Sequence, residues 1–236
     1  MEKKINNMRK TSWGNVASWY DDLLNKGGTY QEEVILPNLL KLMEIKNTDN
    51  VLDLACGQGF FTQAFTKYAD KVVGVDISKE LIEIAKKQNI QNIDYKVSSA
   101  TDLSFINNKS LDKISIILAL QNIDSMLQVF RECYRTLKPQ GRLYIVLNHP
   151  SFRIPRKSEW GYDDKKKVQY RRVEKYLSEI MTNIDMNPGE KMIKKKKYTV
   201  SFHRPLQSYS KVLHNTGFFI SQIEEWISNK KSQFHF

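Results

Sequence analysis

The chain runs from an apolar segment directly into a loop with two glycines, and this junction restricts the possible fold more than any other feature. Residues 51–59 read Val-Leu-Asp-Leu-Ala-Cys-Gly-Gln-Gly, and a helical pattern follows them. Gly57 and Gly59 supply backbone angles that other residues rarely adopt, and they let the main chain approach a ligand closely. The junction therefore predicts an α/β sheet that binds a ligand at the end of its first strand.

Short apolar runs and helical patterns alternate through this half of the chain, as they do in parallel sheets. The predicted strands cover residues 51–55, 71–75, 93–97, 113–119 and 142–147. The predicted helices cover residues 60–68, 79–88 and 125–137, with Ser78 and Asp124 as N-terminal caps and Pro139-Gln140-Gly141 as a stop.

The segments on either side of this core have other patterns. Residues 1–50 predict a helical cover that includes a helix near residues 13–23, and residues 151–205 are polar, basic and aromatic. Within that insertion, alternating segments around Asn187-Pro188-Gly189 predict a hairpin. A helix over 206–216 that ends at Gly217 and a last strand over 218–227 complete one predicted domain, divided into residues 1–50, 51–150, 151–205 and 206–236.

Composition narrows the function classes. The 236 residues carry a formal charge of +11, concentrated near residues 165–172 and 194–197, which is more typical of a solvated face than of a nucleic-acid surface. We expect neither an export signal nor a membrane span, and two cysteines without nearby ligands predict no metal site. These features predict a cytoplasmic protein.

Two carboxylates indicate which ligand the glycine loop accepts. A nicotinamide site would place a third glycine where Thr62 stands, and a carboxylate at Asp53 disfavours a pyrophosphate and favours a cationic ligand. Asp76 ends the second predicted strand and can accept both hydroxyls of a ribose, although a helix-capping role is the alternative.

These segments resemble the class I S-adenosylmethionine-dependent methyltransferases. Residues 53–59 (DLACGQG) are similar to the glycine-loop motif of that family, residues 72–78 (VVGVDIS) to its ribose motif, and residues 98–105 and 137–142 to two later motifs. Residues 148–155 (NHPSFRIP) with Trp160, and residues 201–206 (SFHRPL), resemble a small bacterial subgroup.

The resemblance implies a Rossmann-like fold and a set of site residues. The implied sheet is mostly parallel, twisted and flanked by helices, with a substrate-covering insertion after strand five and a missing or degraded seventh strand. The open edge that this leaves predicts a homo-oligomer or a shortened gene product. Ser99 stands where the family has an adenine-contacting Asp, so Asp102 is an alternative contact. The implied cofactor contacts are Tyr20, Gln31, Asp53, Ala55, Cys56, Gly57, Gly59, Asp76, Ile77, Ser99, Ala100 and Ala119.

The implied reaction is an in-line displacement at the methyl group of the cofactor. The aromatic and basic insertion predicts a small molecule as the acceptor, which is methylated at an O or N atom. His203 and His149 are candidate general bases, because a neutral imidazole can accept a proton near pH 7. Phe152, Arg153, Trp160 and His203 are candidate acceptor contacts. An RNA methyltransferase and a non-catalytic S-adenosylmethionine-binding protein remain the alternatives.

Overall fold

A five-stranded parallel sheet forms the centre of the protein. The structure, a computed structural model, describes residues 27–185 and 198–227. The sheet order is β3-β2-β1-β4-β5, with β1 at Asn50–Leu54, β2 at Lys71–Asp76, β3 at Ile93–Val97, β4 at Leu111–Ile117 and β5 at Leu137–Val146. All four neighbouring pairs are parallel, which confirms the predicted fold class.

The helices lie close to their predicted positions. A π-helical turn at Gln31–Ile35 leads into α1, and a 3₁₀ turn at Leu120–Asn122 follows β4. The helices are α1 at Leu36–Met43, α2 at Phe60–Phe65, α3 at Lys79–Lys87, α4 at Met126–Thr136 and α5 at Leu206–Asn215. In the part of the chain that the structure describes, no helix is long and apolar enough to cross a bilayer. The predicted helix near residues 13–23 lies outside the described residues.

The predicted helix ends have mixed outcomes. The Ser78 side chain accepts a hydrogen bond from the main-chain N–H of Leu81 at 3.2 Å, which confirms the cap of α3. Gly217, at φ +94°, ends α5 as predicted, and the Phe218 N–H donates back to the carbonyl of Leu213. The Asp124 cap is wrong, because Ser125 occupies the cap position of α4 and makes no side-chain cap bond.

Both faces of the sheet are buried, as expected where helices cover a parallel sheet. Along β1, Leu52 and Leu54 join the cluster under α4, whereas Val51 joins the cluster under α1 and α2. Phe130 of α4 and Phe65 of α2 are fully buried on the two sides. This packing fixes the end of β1, where the glycine loop begins.

Two antiparallel hairpins follow β5. Strand β8 (Ile180–Asp185) pairs with β9 (Tyr198–His203), which confirms the predicted hairpin, although its turn at 187–189 lies outside the described residues. Strands β6 (Ser158–Asp163) and β7 (Val168–Val173) form a second hairpin that the sequence did not predict.

The predicted strand over 218–227 is wrong, because the structure gives these residues no strand. Phe218 packs its ring against Phe130 and Tyr134, and Trp226 touches the cluster under α1 and α2. Between these anchors Phe219 is 91% exposed. The segment is therefore held by side chains at its two ends, and β5 is the last strand of the main sheet within the described ranges.

Candidate functional site

The direction in which successive strands are added to the sheet reverses between β1 and β4. The candidate site lies at this reversal. From β1 the chain builds outward to β2 and β3 on one side and to β4 and β5 on the other. In such sheets a crevice opens beyond the carboxyl ends of the two strands at the reversal, and ligands bind there. The glycine loop after β1 and the 3₁₀ turn after β4 form the two walls of this crevice.

Three alternate residues in and before the loop after β1 adopt left-handed backbone angles. Ala55, Gly57 and Gly59 have φ values of 61°, 59° and 85°. Ala55 has a side chain, so its conformation is strained, and strain of this kind concentrates at functional sites. A Cβ on Gly59 would lie 2.9 Å from Cζ of Tyr95, so glycine is needed there for packing against Tyr95 as well as for backbone angle.

Asp76 connects the loop to β2. Its Oδ2 accepts a hydrogen bond from the Gly57 N–H at 2.9 Å, and its Oδ1 accepts one from the Ser78 N–H at 2.8 Å. Burial raises the pKa of Asp76 above its usual value, and these two bonds oppose that rise. A carboxylate oxygen has two acceptor positions, so both oxygens can still accept a hydroxyl. Ile77, beside it, is exposed.

Asp53 lies beneath the loop and does not line the crevice. Its carboxylate is 1% exposed and accepts hydrogen bonds from the hydroxyls of Thr62, at 2.6 Å, and Ser115, at 3.0 Å. Burial raises its pKa to about 6 despite these two bonds. The sequence did not predict Thr62 and Ser115 as its partners. Asp53 can therefore attract a positively charged ligand in the crevice only by long-range electrostatics, without direct contact.

The residues after β3 lie beside Asp76. The Ser98 N–H donates to the main-chain carbonyl of Asp76, which brings Ser99 and Ala100 to the same edge of the sheet. The Ser99 hydroxyl lies 2.7 Å from that of Thr101. Asp102 accepts from the Ser104 N–H, and this bond lowers the pKa of its exposed carboxyl. Ser99 thus remains the predicted adenine contact and Asp102 the alternative.

The turn after β4 is held by contacts from two directions. Leu118 adopts φ +52°, and Gln121 donates from Nε2 to the Leu118 carbonyl at 2.5 Å. Arg204, which follows β9 and is 7% exposed, donates to the carbonyls of Leu120, Ile123 and Asp124. The sequence predicted Ala119 at this wall, and it missed Arg204.

Both candidate bases already make hydrogen bonds. His203 is 4% exposed, and its Nε2 lies 2.8 Å from the carbonyl oxygen of Tyr176, so that nitrogen carries the proton. His149 accepts from the Ser151 N–H at Nδ1 and contacts Glu225 through Nε2 at 2.7 Å. A neutral His203 retains only Nδ1 as a proton acceptor, so the roles of both residues stay predictions.

The candidate acceptor contacts lie at the start of the insertion and on its first hairpin. Phe152 is exposed beside His149, at a ring-centroid distance of 4.9 Å, and Arg153 donates to Asn148 at 3.4 Å. Trp160 is exposed on β6. Gln31 lies in the π-helical turn before α1, and Tyr20 lies outside the described residues. Across residues 27–185 and 198–227, no group of three or more His, Cys, Asp or Glu could hold a metal ion.

Comparison with known proteins shows what this core is similar to. The family model described as "Methyltransferase domain" matches residues 52–145, which run from β1 to β5. A ubiquinone biosynthesis O-methyltransferase of Xanthomonas oryzae is 29% identical over 98 residues, which are 40% of this chain and 41% of that protein. A demethylmenaquinone methyltransferase of Staphylococcus carnosus is 31% identical over 132 residues, or 54% of each chain. The chain thus spans about two fifths to just over half of these relatives.

Solved structures resemble a larger part of the chain. An S-adenosylmethionine-dependent methyltransferase of Mesorhizobium loti aligns with a TM-score of 0.69 and 23% identity, covering 84% of this chain and 85% of its own. A second one, from Aquifex aeolicus, aligns with a TM-score of 0.57 and 16% identity, covering 89% and 92%. At these identities the likeness establishes the fold.

The buried Asp53 carboxyl predicts a pH-dependent stability. A buried acid with a raised pKa stabilises the fold when it is protonated, and that contribution is lost as pH rises from about 4 to about 6. For the unliganded protein, the unfolding free energy of the wild type should fall relative to Asp53→Asn by about 3 kcal/mol across this range. Urea unfolding at each pH measures the difference. Parallel curves for the two proteins would contradict the assignment.

Proposed function

We propose that this chain, which matches a methyltransferase domain over residues 52–145, is a class I S-adenosylmethionine-dependent methyltransferase and transfers a methyl group to an oxygen or nitrogen atom of a small molecule. The observation that carries the proposal is the buried carboxylate of Asp76, held by the Gly57 and Ser78 N–H groups at the edge of the crevice between β1 and β4.

The residues around the crevice fit S-adenosylmethionine better than a nicotinamide dinucleotide. Asp76 has acceptor positions left for two ribose hydroxyls, and the carboxylate of Asp53 lies under the loop where a pyrophosphate would approach. Thr62 occupies the position of the third glycine of a dinucleotide loop and donates to Asp53. S-adenosylmethionine, when bound, supplies a methyl group activated by a positively charged sulfur.

The proposed acceptor is a small molecule with an aromatic ring. Two relatives with a similar core are named for ubiquinone biosynthesis and for demethylmenaquinone. In this chain, Phe152 and Trp160 expose aromatic surface after β5, and flat rings stack well on such side chains. These two residues and Arg153 are the proposed acceptor contacts.

Positioning of the acceptor is the proposed source of most of the rate enhancement, because a displacement at a methyl group needs no covalent enzyme intermediate. His203 can serve as a base only through Nδ1, since Nε2 donates to the Tyr176 carbonyl. His149 has both ring nitrogens engaged, by Ser151 and Glu225. His203 is therefore the better candidate of the two.

A second candidate function, methylation of RNA, is favoured by one observation. The exposed β6–β7 hairpin carries Lys165, Lys166 and Lys167 in its turn, and clustered lysines attract phosphates. Arg172 on the same hairpin is already paired with Glu159 and Glu174. We rank RNA second because this local pairing reduces the free positive charge of the hairpin.

Replacing Asp76 tests the proposed cofactor site. Asp76→Asn keeps the shape of the side chain, but it removes the charge and turns a nitrogen toward a main-chain N–H. The loss of a charge-assisted hydrogen bond, worth about 1.5 to 3 kcal/mol, should weaken S-adenosylhomocysteine binding at least about tenfold. Titration calorimetry with S-adenosylhomocysteine, S-adenosylmethionine and NAD measures the affinities.

Asp94→Asn is the matched control for this experiment. Asp94 lies on the neighbouring strand β3, and its exposed carboxylate forms an ion pair with Lys96 at 3.2 Å. This variant should bind the ligands as the wild type does. Tight binding of NAD by the wild type, with no binding of S-adenosylhomocysteine or S-adenosylmethionine, would refute the proposed cofactor.

A labelled-methyl screen tests the acceptor class. Purified protein is incubated with S-adenosylmethionine labelled in the methyl group, together with either a small-molecule extract or total RNA. The proposal expects label in organic-soluble aromatic compounds. Label in RNA alone, with transfer that falls steeply as salt rises, would replace the small-molecule acceptor with RNA.

A further inference from the structure

Arg204 joins the insertion to one wall of the crevice. It follows β9 directly, and its guanidinium donates to the Leu120 carbonyl at 3.2 Å, to that of Ile123 at 2.9 Å and to that of Asp124 at 2.6 Å. The same guanidinium lies 4.9 Å from the centre of the Phe202 ring. One buried side chain thus connects the last strand of the insertion to the turn after β4.

Arg204 is one of several restraints on the turn after β4. Gln121 donates to the Leu118 carbonyl and the Leu120 side chain is fully buried, but no side chain caps the 3₁₀ turn at Leu120–Asn122, and Leu118 adopts an unfavourable positive φ. A guanidinium presents several donors in a fixed plane, so Arg204 can hold three carbonyls in one arrangement. Arg204 therefore contributes to the shape of this wall.

The insertion is fixed to Arg204 from its other side. His203 precedes it and bonds the Tyr176 carbonyl, and β9 pairs along its length with β8. On β9, Thr199, Ser201 and His203 are buried on one face, although all three are polar. That face is directed into the protein, and β9 contacts the 3₁₀ turn.

Two buried polar atoms on the elements joined by Arg204 have no hydrogen-bond partner within the described residues. They are Oε1 of Gln121, in the turn, and Oγ1 of Thr199, on β9. Gln121 is held in place by its own Nε2, which donates to Leu118, so its oxygen is fixed as a free acceptor. Buried polar groups in native proteins almost always have partners, and a ligand in the crevice could supply one to Gln121, which lies in the turn after β4.

We propose that Arg204 is a positioning residue that couples occupancy of the crevice to the stability of strand β9. Ligand binding restrains the turn after β4, and Arg204 transmits that restraint to β9. Coupling of this kind is reciprocal, so a more stable β9 also increases the affinity of the crevice. The inference rests on the proposed function only for the identity of the ligand, S-adenosylhomocysteine.

Hydrogen exchange of the full chain, with and without S-adenosylhomocysteine, tests the coupling in the wild type, Arg204→Lys and Arg171→Lys. Lysine keeps the charge but cannot hold three carbonyls in one plane. Arg171 is the matched control: its guanidinium also lies 4.9 Å from an aromatic ring, that of Trp160, but it donates to Phe152 and Ser158 within the insertion.

The ligand should slow exchange of the β9 amides at least about fivefold in the wild type and in Arg171→Lys, but less than about twofold in Arg204→Lys. Affinity for S-adenosylhomocysteine should fall about fivefold or more in Arg204→Lys alone. Equal protection of β9 in both variants would overturn the coupling. If Arg204→Lys fails to fold, the wild type still decides: protection of residues 55–59 without protection of β9 overturns it. Absence of binding to the wild type instead refutes the proposed function.

Discussion

A buried carboxylate holds together the three elements on which the site depends. Asp53 is the second-last residue of β1, and it accepts hydroxyl hydrogen bonds from Thr62 on α2 and Ser115 on β4. These contacts fix α2, whose start closes the glycine loop, and β4, whose end leads into the opposite wall of the crevice. The cost of burying the carboxylate appears as its raised pKa, about 6. The strands and the helix that carry the two walls are therefore fixed relative to each other before any ligand binds.

The glycine loop is shaped by packing as much as by a ligand. Gly59 and Gly74 both lie against the ring of Tyr95, and a Cβ at Gly74 would come within 2.6 Å of that ring. Asp76 then fixes the other end of the loop through the Gly57 N–H. This arrangement leaves the loop with little freedom to reorganise, which is how binding sites limit the entropy lost on binding.

The sequence predicted the main sheet closely and the insertion only in part. Strands β1, β2 and β4 are mostly buried, largely apolar runs, so their positions follow from the pattern of apolar residues along the chain. On β6 and β7, aromatic and charged residues such as Trp160, Tyr170 and Arg172 are exposed, and this leaves no alternating pattern to detect. The segment 218–227 is rich in apolar residues, which favoured the prediction of a strand. In the structure, Phe218 and Trp226 instead anchor the segment to the two core clusters. The contacts of Ser115 with Asp53 and of Arg204 with the turn after β4 become visible only in three dimensions, because the partners lie 62 or more residues apart in the sequence.

We propose above all that Asp76 accepts hydrogen bonds from the ribose hydroxyls of an adenosyl ligand at the crevice between β1 and β4. A crystal structure of the complex with S-adenosylhomocysteine tests it most directly. If Asp76 binds the ribose, both ribose hydroxyls should lie within about 3 Å of its carboxylate, the usual range for such hydrogen bonds, and the adenine should lie beside Ser99. Ligand density at any other part of the sheet, with Asp76 bonded only to Gly57 and Ser78, would show that Asp76 does not bind the ribose.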